Sequence, residues 1–143
     1  MCKLGFDIGL KDMTADELAY CQDAVANWKR LQPAIMDGDQ YRLVSPYETN
    51  HMAVNYVSKD QKKAVLFAYD VYPRFQEKLI NVKLQGLDPN KTYKVEEINL
   101  MPGVDSALKS NGQTYTGDYL MKVGIEVFGF AATQSHVLEL TAM

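Results

Sequence analysis

Met52-Ala53-Val54-Asn55-Tyr56-Val57-Ser58-Lys59-Asp60-Gln61 and the run that follows it, Ala64-Val65-Leu66-Phe67-Ala68-Tyr69, decide the fold. In the first stretch Met52, Val54 and Tyr56 alternate with their neighbours, the period of a half-buried strand. The second stretch is continuously apolar, which suits a central strand covered on both faces. Ser58 to Gln61 is a polar connection of hairpin length between them. Two adjacent antiparallel strands, one needing cover on each side, already imply a layered β domain.

Downstream the same period recurs. Ile80, Val82 and Leu84 alternate, and so do Tyr93 and Val95. Ile98 and Leu100 then switch parity, which a β-bulge near Glu96-Glu97 explains. Tyr119, Met121, Val123, Ile125 and Val127 read as one long strand, and Leu138 and Leu140 as a last one. Leu87-Asp88-Pro89-Asn90 is a proline turn, and Asn111-Gly112 is a strong hairpin signal. The count comes to six or seven short, mostly antiparallel strands, hence a mainly β chain with a β-sandwich.

Upstream of Tyr41 the period is helical. Thr14-Ala15-Asp16-Glu17 is a capping box, and Leu18, Cys21, Val25, Trp28 and Leu31 then form an apolar stripe. Pro33 predicts a break, which places the helix at about residues 14–32, and Asp37-Gly38-Asp39 is a turn. Leu4-Gly5-Phe6-Asp7-Ile8 reads as a strand before this helix. A lone strand-helix unit has no parallel neighbour in this sequence, whereas strand plus helix is the repeat of a (β/α)₈ barrel. The expected organisation is therefore residues 1–37 as the last strand-helix unit of a truncated barrel, and 38–143 as an antiparallel sandwich.

Composition narrows the function classes. The chain has 143 residues, 47% hydrophobic and 23% charged, with net charge -3. Such a chain holds one hydrophobic core, and it carries no dense basic run of the kind nucleic acid requires. No stretch is long and apolar enough for a membrane span, and residues 1–5 show no signal-peptide pattern. Cys2 and Cys21 form neither a disulfide framework nor a zinc pattern. His51 and His136 have no second ligand at metal spacing. Ser135-His136 lacks a nucleophile elbow. Asn90-Lys91-Thr92 is a formal glycosylation sequon on a turn. No catalytic, cofactor-binding or metal-ligating residue is assigned, and no cofactor is implied. Tyr41, Tyr47, Tyr56, Tyr69, Tyr72, Tyr93, Tyr115 and Tyr119 leave two uses open, core packing or sugar stacking. Arg42 and Glu48 are either an ion pair at the entry to the sandwich or two solvated charges.

The same residues carry a family resemblance. Leu4-Gly5-Phe6-Asp7, the capped helix, and Gly38-Asp39-Gln40-Tyr41-Arg42-Leu43-Val44-Ser45-Pro46 resemble the C-terminal part of glycoside hydrolase family 36 α-galactosidases. Val65 to Tyr69, Asp88-Pro89-Asn90-Lys91-Thr92-Tyr93, and Thr116-Gly117-Asp118-Tyr119-Leu120-Met121 are similar to later segments of that family, in the same order. The resemblance implies a retaining hydrolase of terminal α-galactosides of the melibiose and raffinose type. Its two catalytic aspartates are expected upstream of Met1, on barrel strands. Asp7 is neither of them, and a structural carboxylate at a strand-helix junction is the expectation there. The chain is then expected to be a non-catalytic accessory domain that braces the barrel. Its partner is the catalytic barrel of the same protein, the galactoside being substrate of the whole enzyme only. A self-standing carbohydrate-binding module, or a domain for homo-oligomerisation, are the alternatives.

Overall fold

The computed structural model describes residues 5–6, 9–72, 80–128 and 134–143. The expected strand at 4–8, with Asp7, lies outside the described residues apart from Gly5 and Phe6, as does Cys2.

Helix α1 spans Ala15–Met36. The capping box forms: Glu17 donates its backbone N–H to the Thr14 hydroxyl at 3.3 Å, and Thr14 N–H donates to the Glu17 carboxylate at 2.8 Å. The helix does not stop before Pro33 as expected; it runs through it to Met36. Proline forfeits one helical hydrogen bond, but Leu31, Ala34 and Ile35 are buried on either side of it and hold the last turns against the sheet. Gly38 follows because a Cβ there would stand 2.1 Å from the Ala34 carbonyl and 2.5 Å from that of Val57. Only glycine lets the chain turn so tightly from helix to strand.

Among the described residues eight strands follow: β1 Asp39–Val44, β2 His51–Val57, β3 Lys63–Asp70, β4 Asn81–Val82, β5 Thr92–Glu97, β6 Thr114–Thr116, β7 Ile125–Glu126 and β8 Ser135–Ala142. A second helix, α2, occupies Gly117–Lys122. Six strands form one antiparallel sheet in the order β1-β2-β3-β8-β5-β6, and β4 pairs with β7 in a separate ribbon. The fold is mainly β, a sandwich whose second layer is the β4–β7 ribbon with α2 and the adjoining loops.

The apolar run of β3 is covered on both sides. Ala64, Leu66 and Ala68 enter the larger core with Val82, Leu84, Leu120, Ile125 and Leu138, while Val65 and Phe67 face α1 with Leu31 and Ile35. β2 is buried on both faces as well, beyond the half-burial its alternation predicts. Ala53 and Val57 join the larger core, and buried Asn55 is accommodated because its side-chain amide donates to the Gln85 carbonyl at 2.9 Å. Ile98 switches parity to join the α1 side, so the β5 backbone stays in register with β8 through Glu97. The bulge expected at Glu96-Glu97 lies instead on the facing segment. Val95 donates to Gln113 O and accepts from Gly112 N, so two residues oppose one.

Asn111-Gly112 is not the loop of a two-residue hairpin, since β5 and β6 are separated by residues 98–113. It forms a turn in which Gln113 N–H donates to Ser110 O at 3.1 Å, with Gly112 at φ 75° where a type II turn needs glycine. The long strand expected from Tyr119 to Val127 is also replaced. Thr116 caps α2 by accepting from Tyr119 N–H at 3.2 Å, Asp118 and Lys122 pair at 2.6 Å one turn apart, and fully buried Leu120 anchors the helix in the core. Only Ile125–Glu126 is strand. The loop expected at Ser58–Gln61 does form, with Ser58 N–H donating to Lys63 O at 2.9 Å. So does the turn expected at Leu87–Asn90, where Lys91 N–H donates to Asp88 O at 3.2 Å and Pro89 is second in the turn.

Candidate functional site

Among the described residues, three buried carboxylates organise the polar chemistry. Asp70, at the end of β3, lies 2.6 Å from Nδ1 of its register partner His51 on β2, and the His51 ring stacks on Phe128 at 4.4 Å. Glu139, on the α1 face of β8, is met by Arg30 from the helix and by Lys63 at 3.5 Å. Glu97, at the end of β5, binds His136 Nδ1 at 2.6 Å through one oxygen and the Ser106 hydroxyl through the other. Each ties two elements together.

The geometry around these clusters places the serines, histidines and acids of the chain relative to one another. Ser135 and His136 are consecutive on β8, so their side chains leave opposite faces of the sheet. Ser106 and His136 do share Glu97, but the carboxylate sits between them. A nucleophilic triad needs the histidine in that middle position. Glu96 and Glu139 are register partners on β5 and β8. Glu96 is held by Lys94 at 2.6 Å and Glu139 by Arg30 and Lys63, so each carboxylate already faces a cation. No group of three or more His, Cys, Asp or Glu able to hold a metal occurs among the described residues. Cys21 is a free thiol on α1, half-buried.

Two further expectations are placed. No ion pair joins Arg42 to Glu48 among the described residues, and both side chains are exposed. The tyrosines divide. Tyr56 and Tyr93 are buried, and Tyr41, Tyr69 and Tyr115 pack against core residues, whereas Tyr47, Tyr72 and Tyr119 are exposed. Burial beside Tyr56 pushes the Tyr69 hydroxyl above its ordinary range, desolvation being the larger cause. Burial also raises Tyr93. Asp88 is lowered by the Asn90 backbone N–H and by Lys91, which steadies the turn that Tyr93 caps.

Two pockets remain. One, of about 210 Å³, lies between α1 and the sheet and is mostly apolar, with Trp28, Leu31, Phe67, Tyr69 and Ile98 in its walls. The other, of about 180 Å³, opens between β6, α2 and the β4–β7 ribbon. It gathers Asn81, Lys109, Ser110, Glu126 and the stacked pair Tyr115–Tyr119, whose ring centroids lie 5.3 Å apart. Sequence reading singled out the two tyrosines but not their polar neighbours. Asn81 and Glu126 meet only because two-residue strands far apart in the chain pair with each other. No local pattern announces that.

Residues 51–140 match the model of the glycosyl hydrolase family 36 C-terminal domain. Alpha-galactosidase C of Emericella nidulans is 33% identical over 121 residues, 85% of this chain and 14% of that protein. Among solved structures, the chain superposes on AgaA, a family 36 α-galactosidase of Geobacillus stearothermophilus solved in complex with stachyose. The TM-score is 0.76 at 26% identity, over 95% of this chain and 17% of that one. The α-galactosidase of Lactobacillus brevis gives a TM-score of 0.76 at 25% identity, over 97% of this chain and 18% of that one. This chain thus spans less than a fifth of the length of the proteins it matches.

Proposed function

This chain belongs to glycosyl hydrolase family 36, and from that premise we propose that it is the accessory C-terminal region of a retaining α-galactosidase, bracing the catalytic barrel without catalysing. The whole protein would release terminal α-linked galactose from substrates of the raffinose and melibiose type; one relative is solved with stachyose. The observation that carries the non-catalytic reading is the state of the buried acids. A retaining glycosidase needs two carboxyl groups about 5–5.5 Å apart across the scissile bond, one free to donate a proton and one to attack. Asp70, Glu97 and Glu139 are instead each engaged by a basic side chain, and none of them lines either pocket. The bracing role rests on α1. Its C-terminal half is packed on β2 and β3, while Leu18, nearer its N-terminus, is 42% exposed and in this reading would be covered by the barrel. In this reading residues 1–37 close the barrel and 38–143 form the sandwich that caps it.

Assay of the purified chain with p-nitrophenyl α-galactoside is expected to give no turnover above the buffer rate. Turnover that is lost on mutating Asp7, or any of the three buried acids, would overturn the non-catalytic assignment.

A further inference from the structure

The pocket between β6, α2 and the β4–β7 ribbon has an aromatic wall and a polar rim. Tyr119 is 41% exposed and stacks on Tyr115 with the rings 14° from parallel, so each ring limits the other's freedom. Asn81 and Glu126 are register partners, and their neighbours Val82 and Ile125 are buried, so both polar side chains leave the ribbon together on its solvent face. The Lys109 ammonium is 4.0 Å from the Glu126 carboxylate, and its side chain is 91% exposed. At that distance the carboxylate keeps its acceptor sites open. Ser110, 3% exposed, lines the same pocket, and its hydroxyl has no hydrogen-bond partner among the described residues.

We propose that this pocket binds a single neutral hexopyranose ring. Three features set the ligand class. The volume, about 180 Å³, is below the roughly 300–1,000 Å³ of sites for drug-sized ligands, and suits one ring rather than an oligosaccharide. One cation and one anion line it, Lys109 and Glu126, which matches a neutral molecule better than an ion of either sign. The Tyr119 face offers an apolar surface to the C–H side of a pyranose, while Glu126 accepts from neighbouring hydroxyls and the Asn81 amide both donates and accepts. The pocket lies on the sheet face opposite α1, so it does not depend on the bracing role and stays open if α1 is covered.

The test is an amide chemical-shift titration of the isotope-labelled 143-residue chain with galactose and with glucose, and with sorbitol as an acyclic polyol lacking a ring face. A ligand of a dozen heavy atoms at ordinary efficiency gives an apparent Kd of about 1–10 mM. Saturable shifts are expected at Asn81, Ser110, Tyr115, Tyr119 and Glu126 with one or both sugars and not with sorbitol. Tyr119→Ala and Glu126→Ala should each weaken binding roughly five- to tenfold, while the exposed control Tyr47→Ala leaves it unchanged. Glu126 is a surface residue, so its variant decides the matter even if Tyr119→Ala disturbs α2. The absence of saturable shifts up to about 100 mM sugar, far above that Kd, overturns the proposal. So does an equal response to sorbitol, or full affinity in Glu126→Ala.

Discussion

At the scale of single residues, Tyr93 does more than fill the core. It is fully buried on β5, and its hydroxyl donates to Gln61 O at 2.7 Å while accepting from Asp88 N–H at 3.0 Å. One side chain thus joins the β2–β3 loop to the proline turn before β5. Tyr93→Phe removes both bonds and strands two backbone groups, and should cost about 1–3 kcal/mol near neutral pH in a urea titration. The pH dependence has a definite sign. Burial raises the folded-state pKa above the unfolded value of 10.0, so the unfolded chain loses this proton first. The stability it confers is complete below about pH 10 and is lost as the pH climbs through the folded value. Tyr69 acts in the same direction, raised chiefly by its burial. The deficit of Tyr93→Phe should therefore shrink above pH 10, because phenylalanine has no proton to lose. A deficit that stays constant or grows there would contradict this account.

At the scale of elements, α1 shows how tertiary packing overrides a local signal. Pro33 has no N–H for the Lys29 carbonyl and is exposed, so it contributes little burial. Leu31 and Ile35, at 3% and 5% exposure, keep the helix going. Pro33→Ala should restore the bond and raise stability by about 1–2 kcal/mol, the interior-proline penalty less the entropy that alanine adds to the unfolded chain. A urea midpoint that falls would mean that the proline shapes the turn into Gly38 and β1 instead. Leu31→Ala, by contrast, should cost about 2–5 kcal/mol. Much of the fold was legible for physical reasons. The capping box at Thr14, the two-faced run Ala64–Tyr69 and the proline turn at Asp88 are local patterns whose partners lie within a few residues. The failures share one cause. Tyr119, Met121 and Val123 alternate as a strand would, yet the N-cap at Thr116 and the burial of Leu120 make that segment a helix. Ile98 changes face because α1 waits on the other side, and only the assembled sheet reveals that. The candidate sugar pocket depends on the β4–β7 pairing and was invisible for the same reason.

At the scale of the whole molecule, the middle of the central sheet is covered on both faces, while Lys94 and Glu96 on β5 stay partly exposed. One side packs on the β4–β7 layer and the other on α1. The chain-order division at residues 37 and 38 therefore cuts through a packed interface. Val54, Tyr56, Val65 and Phe67 lie beneath Leu31 and Ile35, and Arg30 reaches across to Glu139. Removing residues 1–37 uncovers that apolar face and leaves Glu139 with Lys63 alone, at 3.5 Å. Burying one such side chain fully is worth about 1.5–3 kcal/mol, and a domain has only about 5–15 kcal/mol in total. Residues 38–143 alone should accordingly show a much lower urea midpoint than the full chain, or self-associate through the bared face in light scattering, whereas the full chain melts cooperatively. A monomeric 38–143 fragment with an unchanged midpoint would show that α1 belongs energetically to what precedes it. In that case the brace must be sought along another edge of the sandwich. If the fragment fails as expected, α1 belongs to the sandwich by packing. Under the proposed reading it would also be the helix of the barrel's last strand-helix unit, and such a shared element would transmit rigidity from the sandwich to the barrel.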